Sequence, residues 1–361
     1  MKKLISVVVP AYNEEVTAGK TVENLLKSTY PNLEIIFVDD GSKDLTYSNV
    51  LKQFGDNPRV KVHTKPNGGK ASALNYGIEI ATGEILVCID ADTLLKNDAI
   101  AKLAPFFADP KVAAVAGNVK VGNRVNLLTR WQSIEYITSQ NFDRRAFDML
   151  NAIMVIPGAI GAFRRDAIIE VGGFDTDTLA EDCDLTLRLL RKGYVIHSCN
   201  DALAFTEAPE TMNMLVRQRF RWSFGIMQSF WKHRKMMFRK GQPNMNWILL
   251  PHLLIFQLTL PLIAPLVDVL FISSLFMPKA GLIVILYFAY FVLDLCIASM
   301  AFRFDKEKFR PLNIVYLFLQ RVIYRQLLWY VLLKSYLRAI KGELAAWGIL
   351  KRTGNTNELK D

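Results

Sequence analysis

The sequence is poor in cysteine, and its cysteines are not arranged as a disulfide framework or a zinc site. There are four in 361 residues. They are Cys88, Cys183, Cys199 and Cys296. No two of them form a C-x-x-C pair, so neither a disulfide-stapled secreted domain nor a structural zinc site is expected. Reduced thiols in a cytosolic domain fit this usage better.

A long apolar run is missing from the N-terminus. Residues 4–9 are mostly apolar, but Pro10 follows at once, and the run is too short for the apolar core of a secretion signal. We therefore expect no secretion signal here. The long apolar runs come later, at residues 247–276, 280–302 and 312–333. Because a helix needs about 20 apolar residues to cross a bilayer, these runs predict a membrane region.

Acidic residues are missing from positions 211–245, where basic and aromatic residues alternate. The basic residues are Arg217, Arg219, Arg221, Lys232, Arg234, Lys235, Arg239 and Lys240. Basic charge beside apolar spans usually faces anionic lipid head groups, so these residues predict helices in the membrane interface. We therefore interpret the net charge of +10 as serving contact with anionic lipid. No nucleic-acid partner is expected, since no nucleic-acid-binding motif accompanies the basic residues.

The first 110 residues alternate predicted strands with predicted helices. The strands are expected at residues 5–10, 33–38, 60–63 and 84–89, and the helices at 18–28 and 69–82. Such alternation predicts an α/β fold with a mostly parallel sheet. Further helices are expected at 126–147 and 181–192, and a strand at 194–199. Ligands of parallel sheets lie beyond the carboxyl ends of the strands, where Tyr12-Asn13-Glu14, Asp39-Asp40 and Asp90-Ala91-Asp92 follow.

Two of the polar clusters suit a metal and a diphosphate. Carboxylates such as Asp90 and Asp92 bind Mg²⁺ or Mn²⁺ together with substrate phosphates, although Asp92 could also simply begin a turn. The segment Asn67-Gly68-Gly69-Lys70 opens a helix, where backbone N–H groups and a lysine suit a diphosphate. A plain glycine-rich turn is the alternative for that segment.

Two later motifs suit catalysis. Glu181-Asp182 begins a predicted helix, where acids are favoured by the helix dipole, but a carboxylate there can also act as a general base. In Gln218-Arg219-Phe220-Arg221-Trp222, Gln and Arg can hold phosphate oxygens and Trp can stack on a sugar. An interfacial basic-aromatic helix is the alternative, and we accept it for residues 232–240.

Together these elements resemble the processive family 2 glycosyltransferases, which include cellulose, chitin, hyaluronan and poly-N-acetylglucosamine synthases. In chain order, the matching elements are Val9-Pro10-Ala11-Tyr12-Asn13-Glu14, Asp39-Asp40-Gly41-Ser42, Gly69-Lys70-Ala71, Asp90-Ala91-Asp92, Glu181-Asp182, and Gln218, Arg221 and Trp222 of Q-x-x-R-W. The resemblance covers roughly residues 4–240. The sequence departs from the family at Ala180, where a Thr is usual, and in the absence of N-terminal membrane helices.

The resemblance implies three regions and a set of site residues. The regions are a GT-A type nucleotide-sugar-binding domain at 1–210, amphipathic interface helices carrying Q-x-x-R-W at 211–245, and a transmembrane region with a basic tail at 246–361. Nucleotide-sugar binding is implied for Ala11, Tyr12, Glu14, Asp39, Asp40, Lys70, Asp90, Asp92, Gln218 and Arg221. Acceptor binding is implied for Gly158, Ala159, Glu181 and Trp222. Asp182 would be the catalytic base, and Asp92 with Asp90 would hold Mg²⁺ or Mn²⁺.

The function that this resemblance implies is inverting transfer of a sugar from a UDP-sugar to the end of a growing β-linked polysaccharide. N-acetylglucosamine is the expected sugar, and the expected location is the cell membrane, crossed several times, with the catalytic domain in the cytoplasm. Two alternatives stay open: a non-processive transferase that adds one sugar to a lipid or another acceptor, and a nucleotide-binding membrane scaffold without catalysis.

The membrane region raises a problem of topology. Three crossings would place the basic residues of 334–352 outside the cell, against the positive-inside rule. Either one segment is not a full crossing, or the tail breaks the rule. Arg321 and Arg325 make the third segment the one under suspicion, because charge at membrane depth is costly. We expect them to line a polysaccharide path or lie near the cytoplasmic interface. The prolines at 251, 261 and 265 predict that the first segment starts along the interface. Three helices cannot enclose a sugar-wide channel, so we expect a second copy, a partner membrane subunit, or N-terminal helices that are missing from this chain.

Overall fold

A sheet of eight strands lies at the centre of the structure, a computed structural model that describes residues 3–276, 280–341, 354 and 356. The strands are β1 (Ile5–Ala11), β2 (Leu33–Asp39), β3 (Val60–Thr64), β4 (Ile85–Cys88), β5 (Leu94–Leu95), β6 (Val112–Val121), β7 (Gly161–Arg164) and β8 (Val195–Thr206). Their order across the sheet is β3-β2-β1-β4-β7-β6-β8-β5. Strands β3, β2, β1 and β4 are mutually parallel, as the sequence predicts.

The parallel half of the sheet is buried. Every residue of β1 and β2 is buried, which explains why both read as continuous apolar runs rather than alternating ones. Helices α1 (Ala18–Leu26), α2 (Thr46–Phe54) and α3 (Lys70–Ile80) connect the parallel strands. Strands β1, β2 and β4 therefore end at one edge of the sheet, where the predicted polar clusters begin.

The other half of the sheet is mixed, and its pattern does not emerge from the sequence. Strand β7 runs antiparallel to β4 and β6, whereas β8 runs parallel to β6 with a register shift after Gly117. The expected strand at 194–199 is present but continues to Thr206. Helices α4 (Ala99–Leu103) and α7 (Arg165–Glu170) lie in this half, and α8 (Glu181–Arg191) confirms the helix expected at 181–192.

The helix expected at 126–147 is interrupted. It consists of α5 (Leu127–Glu135), a π-helical segment (Tyr136–Asn141) and α6 (Phe142–Met149). Inside the π-helical segment, the hydroxyls of Thr138 and Ser139 donate to the carbonyls four residues earlier, at 2.9 and 2.8 Å. Such hydrogen bonds from side chains to the helix backbone often bend helices.

Helix α9 (Met212–His233) carries the Q-x-x-R-W residues. The Thr211 side chain caps its first turn by accepting a hydrogen bond from the Met214 backbone at 3.4 Å. One side of α9 is buried in the protein, including Leu215 and Phe224, so the helix does not lie wholly on a lipid surface. The expectation that residues 211–245 form an interface region stays a prediction.

Among the described residues, two helical stretches are long and apolar enough to cross a membrane, namely Asn244–Ser274 and Gly281–Phe304. The first contains π-helical segments at Asn244–Leu249 and Leu253–Thr259 around α10 (Leu250–His252), and then α11 (Leu260–Ser274). Its beginning is buried, at Met245, Leu249 and Leu253, whereas α11 is mostly exposed. The second stretch is α12 (Ala280–Phe304). Only the later part of the first stretch therefore presents an apolar surface, which agrees with a start outside the bilayer core.

The third apolar segment carries paired charges. It comprises α13 (Leu312–Leu319), a π-helical segment (Gln320–Tyr324) and α14 (Arg325–Ile340). Arg321 forms an ion pair with Asp294 of α12, and Arg325 with Asp268 of α11. Both charges are thus neutralised within the helical bundle. Their predicted place along a polysaccharide path stays a prediction.

The end of the third segment packs on α9. The cationic groups of Lys334 and Arg338 lie 5.8 and 5.2 Å from the ring centroid of Phe220. These two basic residues therefore belong to a helix–helix contact as well as to the predicted basic tail. The part of that tail at 342–353 lies outside the described residues.

Candidate active site

The ends of the parallel strands meet as predicted. Ala11 pairs with Asp39 in the register of β1 and β2, and the Asp40 backbone N–H donates to the Ala11 carbonyl at 2.8 Å. Beyond these ends, Tyr12 is half-buried. Glu14 accepts a hydrogen bond from the Thr17 hydroxyl at 2.9 Å. The predicted nucleotide residues of β1 and β2 therefore share one edge of the sheet.

Asp40 organises the glycine-rich segment. Its carboxylate accepts hydrogen bonds from the backbone N–H groups of Gly68 and Gly69, at 3.1 and 2.7 Å, and pairs with Lys65 Nζ at 2.7 Å. Gly69 has a φ of +86°, which favours glycine at this position. The neighbouring Asp39 accepts from the backbone of Ser42 and the hydroxyl of Thr64, at 3.2 and 2.9 Å. Both carboxylates thus hold the loops that would surround a nucleotide.

Lys70, the first residue of α3, lies among carboxylates. It forms an ion pair with Asp90, and its Nζ lies 3.5 Å from Glu181 Oε1. Burial alone would lower the pKa of Lys70, but Asp90, Glu181 and Asp182 raise it above its ordinary value. The lysine is therefore a permanent positive charge at the neutral pH of a cell.

Gly158 lies directly against this ion pair. A Cβ placed on Gly158 would lie 2.5 Å from Lys70 Nζ and 3.4 Å from Asp90 Oδ1. Any side chain would therefore displace the lysine. The next residue, Ala159, is buried beside the buried Ile160, so it is the backbone of this loop that borders the site.

Lys70, Gly158, Glu181 and Asp182 line one small pocket. Its other lining residues are Pro10, Leu74, Cys88, Ile89, Ile156, Pro157, Phe163 and Phe174. The wall of this pocket is mainly apolar, whereas its charged groups converge from α3 and α8. A charged ligand atom in this pocket would interact strongly with these groups, because little water screens them.

Asp182 lies in the first turn of α8, where its Oδ1 accepts a hydrogen bond from the Cys183 backbone at 2.8 Å. Burial raises the pKa of Asp182 to about 7, and the negative charge of Glu181 adds to this effect, while Lys70 opposes it. A carboxyl group whose pKa lies near the working pH is well suited to take up and release a proton. This geometry agrees with the predicted role of a base.

The donor set at Asp90 and Asp92 fits a metal ion that arrives with a diphosphate. Asp92 is buried and accepts a hydrogen bond from the Thr93 hydroxyl at 3.2 Å. In the described part of the chain, no three His, Cys, Asp or Glu residues are grouped to hold a metal by themselves. Mg²⁺ commonly takes one or two carboxylates and completes its shell with phosphate and water oxygens. Two aspartates are therefore sufficient protein ligands.

The Q-x-x-R-W residues of α9 do not line this pocket. Gln218 is buried, and its Oε1 has no hydrogen-bond partner among the described residues. Trp222 is half-buried against the core of the sheet. The lining of this pocket therefore includes none of the predicted phosphate and acceptor residues of α9, where Arg221 is next to Trp222.

Helix α9 instead touches the segment that leads into Asp182. The Gln228 side chain accepts a hydrogen bond from the Leu179 backbone at 2.9 Å. A Cβ on Gly225 would lie 2.6 Å from the Cβ of Ala180. The small side chain of Ala180 therefore accompanies a close approach of α9 to the start of α8.

Sequence reasoning missed three residues of this region. Lys65 pairs with Asp40, Gln228 fixes the segment before Asp182, and Arg219 stacks over Trp222 with its guanidinium carbon 4.1 Å from the ring centroid. Arg219 occupies one of the two unspecified positions of Q-x-x-R-W, so its place inside the motif could have marked it as a candidate site residue. Lys65 and Gln228 act through loop contacts that no local pattern reveals.

Comparison with known proteins identifies the family and the fold of this chain. The family model described as "Glycosyltransferase like family 2" matches residues 2–225. The poly-beta-1,6-N-acetyl-D-glucosamine synthase of Staphylococcus aureus strain COL is 35% identical over 222 residues, which are 61% of this chain and 54% of the relative. The synthase of the same name from Staphylococcus epidermidis is 36% identical over 233 residues, 63% of this chain and 56% of the relative. The chain thus spans about half the length of the curated relatives that it matches.

A solved structure shares the fold. It is a mannosyltransferase from Pyrobaculum calidifontis in complex with GDP-Man and Mn²⁺, with a TM-score of 0.63 and 23% sequence identity. The match covers 90% of this chain and 88% of that chain. The expected GT-A type fold, with a mostly parallel mixed sheet followed by helices, is therefore confirmed. Since the family model covers more than half of the sequence, this chain belongs to the glycosyltransferase-like family 2.

Proposed function

We propose that this protein transfers N-acetylglucosamine from a UDP-sugar to the end of a growing β-linked polysaccharide. The observation that carries this proposal is the pocket in which Asp182, with its pKa raised to about 7, lies beside the Lys70–Asp90 ion pair. Relatives that are 35 and 36% identical are named poly-beta-1,6-N-acetyl-D-glucosamine synthases, which supports the choice of sugar and product.

In the proposed reaction, Asp182 takes the proton of the acceptor hydroxyl. The hydroxyl oxygen attacks the anomeric carbon, and the bond from that carbon to the diphosphate breaks, so its electron pair leaves with UDP. One in-line displacement inverts the anomeric carbon and gives a β-linked product. Lys70 offsets the negative charge that develops on the diphosphate. Arg221 and Gln218 would hold the diphosphate from α9, and Trp222 would stack on the acceptor sugar.

The proposed location is the cell membrane, with the site on the cytoplasmic side, where nucleotide sugars are made. The two apolar helical stretches and the buried start of the first support attachment of this kind. Export of a polymer would require a second copy, a partner membrane subunit or further membrane helices outside this sequence, because the described residues offer few helices to enclose a path.

The test is incubation of the purified, lipid-reconstituted protein with a panel of radiolabelled UDP-sugars, followed by sizing of the product. We expect UDP-N-acetylglucosamine to be incorporated into long chains that a β-hexosaminidase degrades. Asp182→Asn protein, prepared in parallel, serves as the control for contaminating enzymes. Incorporation limited to one sugar per acceptor would favour the non-processive alternative, and no incorporation from any UDP-sugar would overturn the proposal.

Removal of divalent cations should abolish transfer. A bound Mg²⁺ or Mn²⁺, held by Asp92 with Asp90, would supply positive charge to the leaving diphosphate. We therefore expect chelator to reduce incorporation to background and added Mg²⁺ or Mn²⁺ to restore it, and we expect UDP binding, measured by calorimetry, to weaken in chelator. Full activity in chelator would contradict the metal assignment but not the transfer itself.

A further inference from the structure

Two buried polar side chains, Arg219 and Tyr324, meet the half-buried Glu135 where α5, α9 and the third apolar segment come together. Arg219 of α9 pairs with Glu135 of α5 at 2.6 Å. The hydroxyl of Tyr324, from the third apolar segment, donates to the same Glu135 carboxylate at 2.7 Å and lies 3.4 Å from Arg219 Nη2. Only 3% of Arg219 and 2% of Tyr324 are exposed. We refer to Glu135, Arg219 and Tyr324 as the Arg219 cluster.

The Arg219 cluster also contacts Trp222. The guanidinium carbon of Arg219 lies 4.1 Å from the centroid of the Trp222 ring, a cation–π distance. Tyr136 lies near the same ring, with the two centroids 6.4 Å apart. Nε and Nη1 of Arg219 are buried without a hydrogen-bond partner in the described part of the chain. The guanidinium carbon also lies 6.0 Å from the centroid of the Tyr136 ring, so two aromatic rings neighbour the group, with Trp222 the nearer.

This arrangement differs from a simple buried ion pair. A buried pair contributes little net stability against apolar residues of similar volume. The planar guanidinium, however, can satisfy a carboxylate with one edge and stack on an aromatic ring with its face, which an ammonium group cannot do. The presence of arginine rather than lysine at position 219 therefore points to a role in orienting the Trp222 ring, beyond any contribution to stability.

The Arg219 cluster also connects the ring to the third apolar segment. Trp131 of α5 packs on Tyr324, with ring centroids 5.8 Å apart, and its indole N–H donates to the Tyr316 carbonyl at 3.1 Å. The Gln320 side chain donates back to the Trp131 carbonyl at 3.4 Å. Helix α5 is therefore fixed to that segment at two points, and Glu135 ends this helix.

We infer that Arg219 is a positioning residue that orients Trp222 toward the acceptor sugar, and that Glu135 and Tyr324 fix Arg219 in turn. The inference rests on the proposed acceptor role of Trp222. It makes the orientation of the Trp222 ring depend on the third apolar segment, through Tyr324. A movement of that segment would change the orientation of Trp222 without displacing the residues of the donor pocket.

The test compares Arg219→Lys, Tyr324→Phe and Trp222→Ala with the control Arg217→Lys, which changes an exposed arginine on the same helix. Misplacement of a substrate-positioning group by about 1 Å can cost about 100-fold in rate. We expect Arg219→Lys to lower the elongation rate about 10- to 100-fold and shorten the product, with UDP affinity changed less than about twofold. Tyr324→Phe, which removes only a hydroxyl, should change elongation in the same direction by a few-fold.

A double-mutant cycle separates positioning from general destabilisation. If Arg219 acts through Trp222, then Arg219→Lys should have little further effect on elongation in the Trp222→Ala background. Full additivity of the two substitutions, or wild-type elongation in both Arg219→Lys and Tyr324→Phe, would overturn the inference while leaving the proposed function intact. Wild-type elongation in Trp222→Ala would remove the acceptor role itself, and the inference with it.

Discussion

Asp182→Asn should retain UDP binding and lose sugar transfer. The amide has the shape of the carboxylate but cannot take the proton of the acceptor hydroxyl, and loss of a general base typically costs 10²- to 10⁴-fold in rate. We expect a loss in this range for incorporation of labelled N-acetylglucosamine. UDP affinity, measured by calorimetry, should be nearly unchanged, because the ion pair between Lys70 and Asp90 remains.

The control for this substitution is Asp201→Asn, which changes an exposed carboxylate paired with Lys306. That variant should transfer sugar at the wild-type rate. Turnover near wild type in Asp182→Asn would refute the assignment of the base. Loss of UDP binding in the same variant would instead show that Asp182 supports the donor pocket.

The pH dependence of kcat/KM gives a second measure of the same group. Burial raises the pKa of Asp182 to about 7, so its basic form is depleted below that pH and becomes dominant above it. The value of kcat/KM should therefore rise as the pH increases through about 7 and then level off. A rise centred near pH 4, the ordinary range for an aspartate, would mean that the carboxyl is not enclosed in the working enzyme.

The parallel half of the fold was accessible from sequence because its signals are local. Continuous apolar runs marked β1 and β2, and helical spacing marked α1 and α3. Of the mixed half, only the first part of β8 was predicted, and β7 was not, because β7 is only four residues long and is defined by its pairing with β4 and β6. Pairing between strands that are distant along the chain produces no periodic pattern in the sequence of either strand.

The residues of the candidate site likewise divide into those that could be predicted from the sequence and those that could not. Asp40 and Asp90 follow from the rule that ligands lie at the carboxyl ends of parallel strands, and Lys70 from the glycine-rich segment that opens a helix. The family resemblance supplied Asp182, which no strand-end rule would select. The contact of Gln228 with Leu179 and the stacking of Arg219 on Trp222 could not be derived, because each depends on where α9 docks against the rest of the protein.

Gly158→Ala should impair donor binding as well as transfer. The new Cβ would lie 2.5 Å from Lys70 Nζ, far inside contact distance, so the lysine would have to leave its position against Asp90. Since the lysine ends a flexible side chain, the fold itself should tolerate this change. The displaced charge would no longer face the diphosphate, and we expect kcat/KM for the UDP-sugar to fall about 100-fold.

The matched control is Gly281→Ala, because a Cβ at Gly281 meets no atom within 4 Å. That variant should behave as wild type, which separates the steric effect at Gly158 from a general effect of losing a glycine. The decisive measurement is the effect of Gly158→Ala in protein that also carries Lys70→Met. If the added methyl group acts by displacing the lysine, Gly158→Ala should cause little further loss once the lysine is gone. An equal loss in both backgrounds would show that the Gly158 backbone contacts the substrate directly, and wild-type kcat/KM in Gly158→Ala would show that the lysine position is not needed for donor use.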